Sequence, residues 1–487
     1  MPASPVKPTR NATSHRPAPR ARLACLGLAC ALAGCAVGPD YKRPQTELPA
    51  AWTPAAADAT AATAAVELDW WRAFDDPLLT RLVERALAAN TDLRIARARL
   101  RAARAATAQA EAALWPGVGA YASASRSSAG GQDATSSYGA GFDASWEIDL
   151  FGGLRRGVEA ADADAEASAA TLGSTQVSLA AEVARDYVQL RSAQLRTSIA
   201  QANLDSQTQT LQLTEWRAQA GLVGQLDVEQ ARSNREQTSA QLPLLRDAAT
   251  QSANALAVLL NVAPGALADE LASAAPAIPA GAGQPLAGIP ADLLRRRPDI
   301  VAAERNLAAA TARIGVAEAA RYPSLSLSGT LGLQGALLSA LSGSAAANRF
   351  GLASLTAPIF DAGKLRQQVV IRSAEQEQAL AAYEAALYGA LRDVENARAS
   401  LVNGRARSAA LAQAVQAARN AALLANLRYR SGLVDFQTVL DTERSVRTLE
   451  DSQASTQADT VVALVQLYKA LGGGWSADDR VASASAP

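Results

Sequence analysis

The chain has 487 residues, 46 basic and 46 acidic side chains, and 49% hydrophobic residues. Its cysteines are Cys25, Cys30 and Cys35, its one histidine is His15 and its one methionine is Met1. Beyond Cys35 there is no Cys, His or Met, which excludes disulfides, thiolate or imidazole metal sites and every His- or Cys-based catalytic arrangement, and the balanced charge is not that of a nucleic-acid binder. No enzyme, cofactor or metal is expected.

Residues 1–34 carry Lys7, Arg10, Arg16, Arg20 and Arg22 and no acid. The apolar run from Leu23 to Ala33 is too short to span a membrane as a helix. This is the layout of a signal peptide. It ends in Leu32-Ala33-Gly34-Cys35, which resembles a bacterial lipobox, so Cys35 is the expected lipid attachment point. Ala36, rather than Asp, follows the cysteine, which resembles the pattern of lipoproteins sorted to the outer membrane. More than one acyl chain would make the anchor stable.

The segment 35–76 reads as extended and Pro-bounded, with an Ala/Thr/Pro stretch to about Ala65. The first repeat, 77–261, opens with a short helix to Ala89 and a second helix from Asp92 to before Trp115-Pro116. Tyr138 to Leu150 alternates apolar and polar residues, the mark of a strand with one apolar face. Its expected partner covers about 118–127. A long helix, Gly153–Gln219, and a shorter one, Gly224–Asn261, follow, joined at Gly221-Leu222-Val223. Residues 262–290 are Pro/Ala/Gly-rich and read as a linker.

The second repeat, 291–472, has the same order. A helix begins near Asp299, strands fall at about 324–333 and 349–359, and a helix of about 67 residues, Lys364 to Arg430, follows. At 1.5 Å per residue that helix is on the order of 100 Å long. Leu380, Leu387, Val394 and Leu401 recur every seven residues, a coiled-coil seam. The turn Gly432-Leu433-Val434 leads into a shorter helix. Residues 473–487 form a tail. One offset of 211 residues relates Gly152 to Gly363, Gly221 to Gly432 and Asn261 to Gly472. A smaller offset of 207 relates Asp92 to Asp299 and Pro116 to Pro323, which places four extra residues of the second copy in a strand loop.

Four strands per chain cannot close a barrel, and open edges are not viable in lipid. Oligomerisation is therefore expected, and three copies would supply twelve strands. The fold class is α+β, a membrane protein with two internal repeats.

Several motifs resemble the TolC-like outer membrane factors, in their lipoprotein branch. They are Val37-Gly38-Pro39-Asp40-Tyr41, Trp70-Trp71-Arg72-Ala73-Phe74, Leu294-Arg295-Arg296-Arg297-Pro298-Asp299-Ile300, Pro323-Ser324-Leu325, Pro358-Ile359-Phe360-Asp361-Ala362-Gly363 and Tyr429-Arg430-Ser431-Gly432. The resemblance implies a homotrimer with a twelve-stranded barrel in the outer membrane and a coiled-coil helical barrel in the periplasm. It implies an exit duct for small toxic compounds or drugs, served by a periplasmic adaptor and an inner-membrane RND-type pump. It places Gly221, Leu222, Val223, Gly432, Leu433 and Val434 at the adaptor-facing tips. It places Asp441 at the periplasmic constriction. Thr438 stands one turn away, where the family often has an acid. Asp227 and Tyr429 match positions that latch neighbouring coils, and the family's basic partner would fall at Val434. A duct for type I protein or polysaccharide secretion and a periplasmic coiled-coil scaffold lipoprotein remain alternatives.

Overall fold

The computed structural model describes residues 36–45, 69–128, 130, 133–272, 277–281, 295–343 and 346–475. The signal peptide, Cys35, the Ala/Thr/Pro stretch, much of the 262–290 linker, Leu294 and the tail from 476 lie outside the described residues.

The helices are α1 (Pro77–Ala89), α2 (Thr91–Ala112), α3 (Gly153–Gln219), α4 (Gln225–Leu259), α5 (Ala268–Ala272), α6 (Pro298–Ala319), α7 (Lys364–Arg430) and α8 (Phe436–Ala470). The strands are β1 (Gly117–Ser127), β2 (Thr135–Ile148), β3 (Ser324–Gly335) and β4 (Ala347–Thr356). Helix lengths match between repeats: α2 and α6 have 22 residues, α3 and α7 have 67, and α4 and α8 have 35. The three position pairs at offset 211 have one physical cause. Gly152, Gly221, Asn261, Gly363, Gly432 and Gly472 all have positive φ, a conformation that favours Gly and tolerates Asn.

By contact, the chain forms two compact units, and each draws on both repeats. The first gathers 105–162 and 308–377 with the N-terminal segment up to Lys42. Its sheet is antiparallel in the order β1-β2-β3-β4, so the two repeats meet at the β2–β3 pair. β1 and β4 are its edges. The connection between strands runs over 128–134 in the first repeat and over 336–346 in the second, four residues longer, with a 3-10 turn at Leu338–Ser342.

Two strands end earlier than the alternation predicts. β2 stops at Ile148 rather than Leu150, because the Asp149 carboxylate turns to accept from the Arg155 backbone N–H at 2.9 Å and begins α3. β4 stops at Thr356 rather than residue 359; Pro358 has no N–H to give a ladder. Register also explains the weak alternation of β4. Phe350 pairs with Thr330 and Leu352 with Ser328, so both lie on the polar face. That face also carries Asp143 and Glu147, since Asp143 pairs with Thr330 and Glu147 with Ser326. Arg349 pairs with Leu331 on the apolar face.

The N-terminal segment is fastened within this unit by Arg156. Its Nη2 donates to Asp40 Oδ1 at 2.6 Å and its Nη1 to Glu159 Oε2 at 2.7 Å. Val37 N–H donates to the Phe151 carbonyl at 3.1 Å. Gly38, at φ +92°, leaves no room for a side chain: a Cβ there would stand 2.4 Å from the Gly315 Cα.

The second unit holds the main core. Trp70, Trp71 and Phe74 are buried with Leu79, Leu82 and Val83 of α1, Val183 and Tyr187 of α3, and Leu464 and Val465 of α8. Trp70 stacks on Tyr468 with ring centroids 5.2 Å apart. Asp76 caps α1 by accepting from Leu78 and Leu79 N–H, and it also accepts from the Tyr187 hydroxyl at 2.7 Å. Burial, then Asp76, pushes the Tyr187 pKa up to about 12. In α7, Tyr383, Leu387, Ala390, Val394, Ala397 and Leu401 are buried, as the heptad spacing predicts. No described helix is long and apolar enough to cross a membrane.

Candidate functional site

The two hairpin turns are built alike. Leu222 N–H donates to the Arg217 carbonyl at 2.8 Å and Gly221 N–H to Ala218 at 2.9 Å. Leu433 N–H donates to Arg428 at 2.9 Å and Gly432 N–H to Tyr429 at 2.9 Å. This is the Schellman arrangement, which needs a left-handed residue after the helix. Gly221 and Gly432 supply it at φ +73° and +71°. The turn presents Leu222 and Leu433 to solvent, 68% and 74% exposed. Val223 and Val434 fold back onto a small cluster of Leu211, Val228, Ala231, Ala425, Tyr429, Phe436, Val439 and Leu440. The turns differ in the following cap. Gly224 precedes α4 with no side-chain cap, whereas Asp435 accepts from Thr438 N–H at 3.0 Å and from its hydroxyl. The Thr438 hydroxyl and N–H hold the Asp435 carboxyl below its ordinary pKa.

Thr438 is thus occupied in capping α8. Asp441, one turn on, is exposed; Gln437 donates to its Oδ1 at 2.9 Å and Arg444 stands 3.8 Å away. Tyr429 is buried, and its ring packs at 5.4 Å from Phe436. Burial raises the Tyr429 pKa, Thr214 and Arg217 oppose this, and Asp227 adds a small rise. Asp227 lies in the first turn of α4 and feels the same tyrosine electrostatically.

One residue was not foreseen. Arg217, at the end of α3, lies over the Tyr429 ring at 4.4 Å and donates to the Tyr429 carbonyl at 2.6 Å. Val434 has no charge to offer, and the cation beside Tyr429 comes from the other hairpin. The signal was present as spacing: Arg196, Asn203, Thr210 and Arg217 recur every seven residues along α3. Arg196 pairs with Asp451 at 2.6 Å, Asn203 donates to Glu450 at 3.0 Å and Thr210 to Glu443 at 2.9 Å.

The profile of the outer membrane efflux protein family matches residues 82–262 and 289–473. The chain belongs to that family. It is 36% identical over 437 residues to the pyoverdine export outer membrane protein OpmQ of Pseudomonas putida, covering 86% of this chain and 91% of that one. It is 34% identical over 425 residues to the solvent efflux pump outer membrane protein SrpC of Pseudomonas putida, covering 86% and 89%. Among solved structures, the outer-membrane channel OprN aligns with a TM-score of 0.86 at 40% identity, over 91% of this chain and all of that one. CusC aligns with a TM-score of 0.79 at 27% identity, over 90% of this chain and all of that one. This outer membrane efflux protein therefore has the fold of the trimeric outer membrane factor channels, with four strands per chain. It is an exit duct of tripartite efflux in the outer membrane, a transport channel and not an enzyme.

Proposed function

We propose that the assembled channel receives small toxic compounds from an inner-membrane RND-type pump through a periplasmic adaptor seated on the two hairpin turns. The observation that carries this is the pair of matched Schellman turns, each ending in an exposed leucine, Leu222 and Leu433. Two apolar knobs on two near-identical tips suit a partner that repeats its own contact around the channel. Cargo selection is left to the pump. Relatives of similar identity are named for pyoverdine in one case and for solvents in the other, which supports a duct that does not choose.

In this reading Asp441 lines the periplasmic constriction, Asp227 and Tyr429 belong to the latch between coils, and Arg217 supplies its cation. Thr438 leaves a single carboxylate per chain at the ring. Three like charges at a narrow point repel one another and attract cations. Cys35 carries the acyl anchor.

The test is co-purification. Channels with Leu222→Asp and Leu433→Asp together should lose the adaptor while still assembling. An adaptor that stays bound would overturn the tip assignment, and an ABC exporter in place of the RND pump would redirect the reading to type I secretion. Mass spectrometry of the mature N-terminus tests Cys35; an unacylated cysteine removes the anchor.

A further inference from the structure

Along the lower part of α3, residues 196, 200, 203, 207, 210, 214 and 217 follow the alternating spacing of a coiled-coil seam. They are Arg, Ala, Asn, Gln, Thr, Thr and Arg rather than leucines. A polar seam holds register at a cost in stability. In its middle lies a cavity of about 290 Å³, lined by Asn203, Gln207 and Thr210 of α3, Asn426 and Arg430 of α7, and Glu443 of α8. Gln207 is 4% exposed and Glu443 is 8% exposed. Thr210 donates to Glu443 Oε1 at 2.9 Å. Glu443 Oε2 and Gln207 Oε1 are buried with no protein partner.

Two acceptor oxygens, one from each residue, thus lie at one cavity with no hydrogen-bond partner among the described side chains. A buried carboxylate left in that state is penalised. A proton taken from solvent onto Glu443 Oε2 turns it from acceptor into donor, and Gln207 Oε1 lines the same cavity to receive it. We propose that Glu443 is a proton-binding site in the seam between the two hairpins, and that its protonation holds the second hairpin closed. This rests on the reading that the α7–α8 hairpin gates the duct.

The surrounding charges leave Glu443 without a counter-ion. α3 lines the cavity with uncharged residues, Asn203, Ser206, Gln207, Gln209, Thr210 and Leu213. On α7, Arg430 stands exposed at the cavity mouth, and Arg419 is taken by Glu450 at 2.6 Å. On α8, Asp441 is exposed, Arg444 is half-buried beside it at 3.8 Å, and Arg447 donates to Thr238 of α4 at 3.2 Å. α4 brings Asn234 and Thr238, both uncharged and buried. Burial raises the Glu443 pKa above its ordinary 4.5, with Thr210 and Asn426 opposing it. The closed seam therefore binds the proton more tightly than an opened, hydrated one. Its advantage is full below the ordinary value, falls as pH rises through the raised value, and is constant beyond it. Acid closes the duct.

The experiment is conductance of the full mature channel in planar bilayers from pH 4 to pH 8 at fixed potassium chloride. The parent should conduct less on the acid side, with one step. Glu443→Gln, a neutral mimic of the protonated acid, should stay at the low level with no step. Gln207→Leu should shift the step to lower pH. The proposal falls if Glu443→Gln keeps the step, if Asp441→Asn alone abolishes it, if it tracks salt rather than pH, or if Glu443→Gln fails to assemble. Thermal melting separates this from the gate reading. Glu443→Gln should melt above the parent at pH 8 and equal it at pH 4, whether or not the hairpin gates. A difference independent of pH overturns the proton site, whereas unchanged conductance in Asp441→Ala overturns only the gate.

Discussion

The guanidinium of Arg217 lies 4.4 Å over the ring of Tyr429 and donates to that residue's own carbonyl at 2.6 Å. One side chain thus ties the end of the first hairpin's long helix to the turn of the second. A cation over an aromatic ring contributes about 0.5–2 kcal/mol, and a charged hydrogen bond roughly 1.5–3 kcal/mol. Arg217 as a whole is only half-buried, which discounts both. Arg217→Met should lower stability by about 1–2 kcal/mol and raise the resting conductance. Calorimetry and bilayer recording check the two effects.

The Arg156 anchor on Asp40 should govern access to the N-terminal segment. Arg156→Ala should free the backbone around Lys42 and open the Lys42–Arg43 bond to trypsin without unfolding the sheet. The Arg156 hydrogen bond holds the Asp40 carboxyl below its ordinary value of 3.8. A depressed acid contributes above its unfolded pKa and loses that contribution as pH falls through the lowered value. Fastening of the segment should therefore persist through mild acid and fade only below the ordinary carboxylate range, as hydrogen exchange of the Val37 amide, bonded to the Phe151 carbonyl, would record.

Glycines in the sheet should differ in tolerance. A Cβ on Gly332 would meet the Ala140 carbonyl at 2.7 Å and the Tyr121 hydroxyl at 2.9 Å, and one on Gly141 would meet the Gly332 Cα and Leu331 carbonyl at 2.6 Å. Both neighbours include backbone that cannot step aside. At Gly119 the neighbour is the Asp143 carboxylate at 2.9 Å, which can rotate. Gly141→Ala should reduce heat-resistant oligomer on gels sharply, and Gly119→Ala should leave it near the parent level.

Tyr187 should titrate late. Its pKa lies at about 12, against an ordinary 10.0. A raised pKa means the folded state keeps its full advantage below pH 10 and loses it as pH rises through about 12. Ultraviolet titration should show one tyrosinate absent until then. Tyr187→Phe should remove that component and cost about 1 kcal/mol, the worth of a hydrogen bond to a charged cap less solvent compensation at Asp76.

The hairpin glycines should resist replacement for a backbone reason alone. A Cβ on Gly221 or Gly432 meets nothing within 4 Å. The penalty is the left-handed conformation, about 1 kcal/mol for Ala. Gly432→Asn should cost less than Gly432→Ala, because Asn already fills a left-handed place after a helix of this chain, at residue 261 beyond α4 with φ 55°. Thermal melts of the two variants provide the comparison.

Much of the architecture could be read from the residues in order. The ends of α3 and α7 fall where composition and the glycines place them, at Gln219 and Arg430. Strand ends were less legible at Leu150 and Ile359, because the alternation there continues past the last ladder bond. The face taken by Phe350 and Leu352 was hidden, since β4 alone does not state its register against β3. The same holds for the seam. Thr210 and Glu443 touch across 233 positions of chain.

By itself, the sequence determined what neighbours within a few residues can settle: helix propensity, left-handed turns, alternation, and the duplication that repeats them all. Those forces act over one turn or one strand pair. Tertiary structure decided who meets whom across the hairpins: Arg217 over Tyr429, and Gln207 and Glu443 in one cavity. A slip of one heptad between two long helices would keep every local preference and exchange every one of those partners.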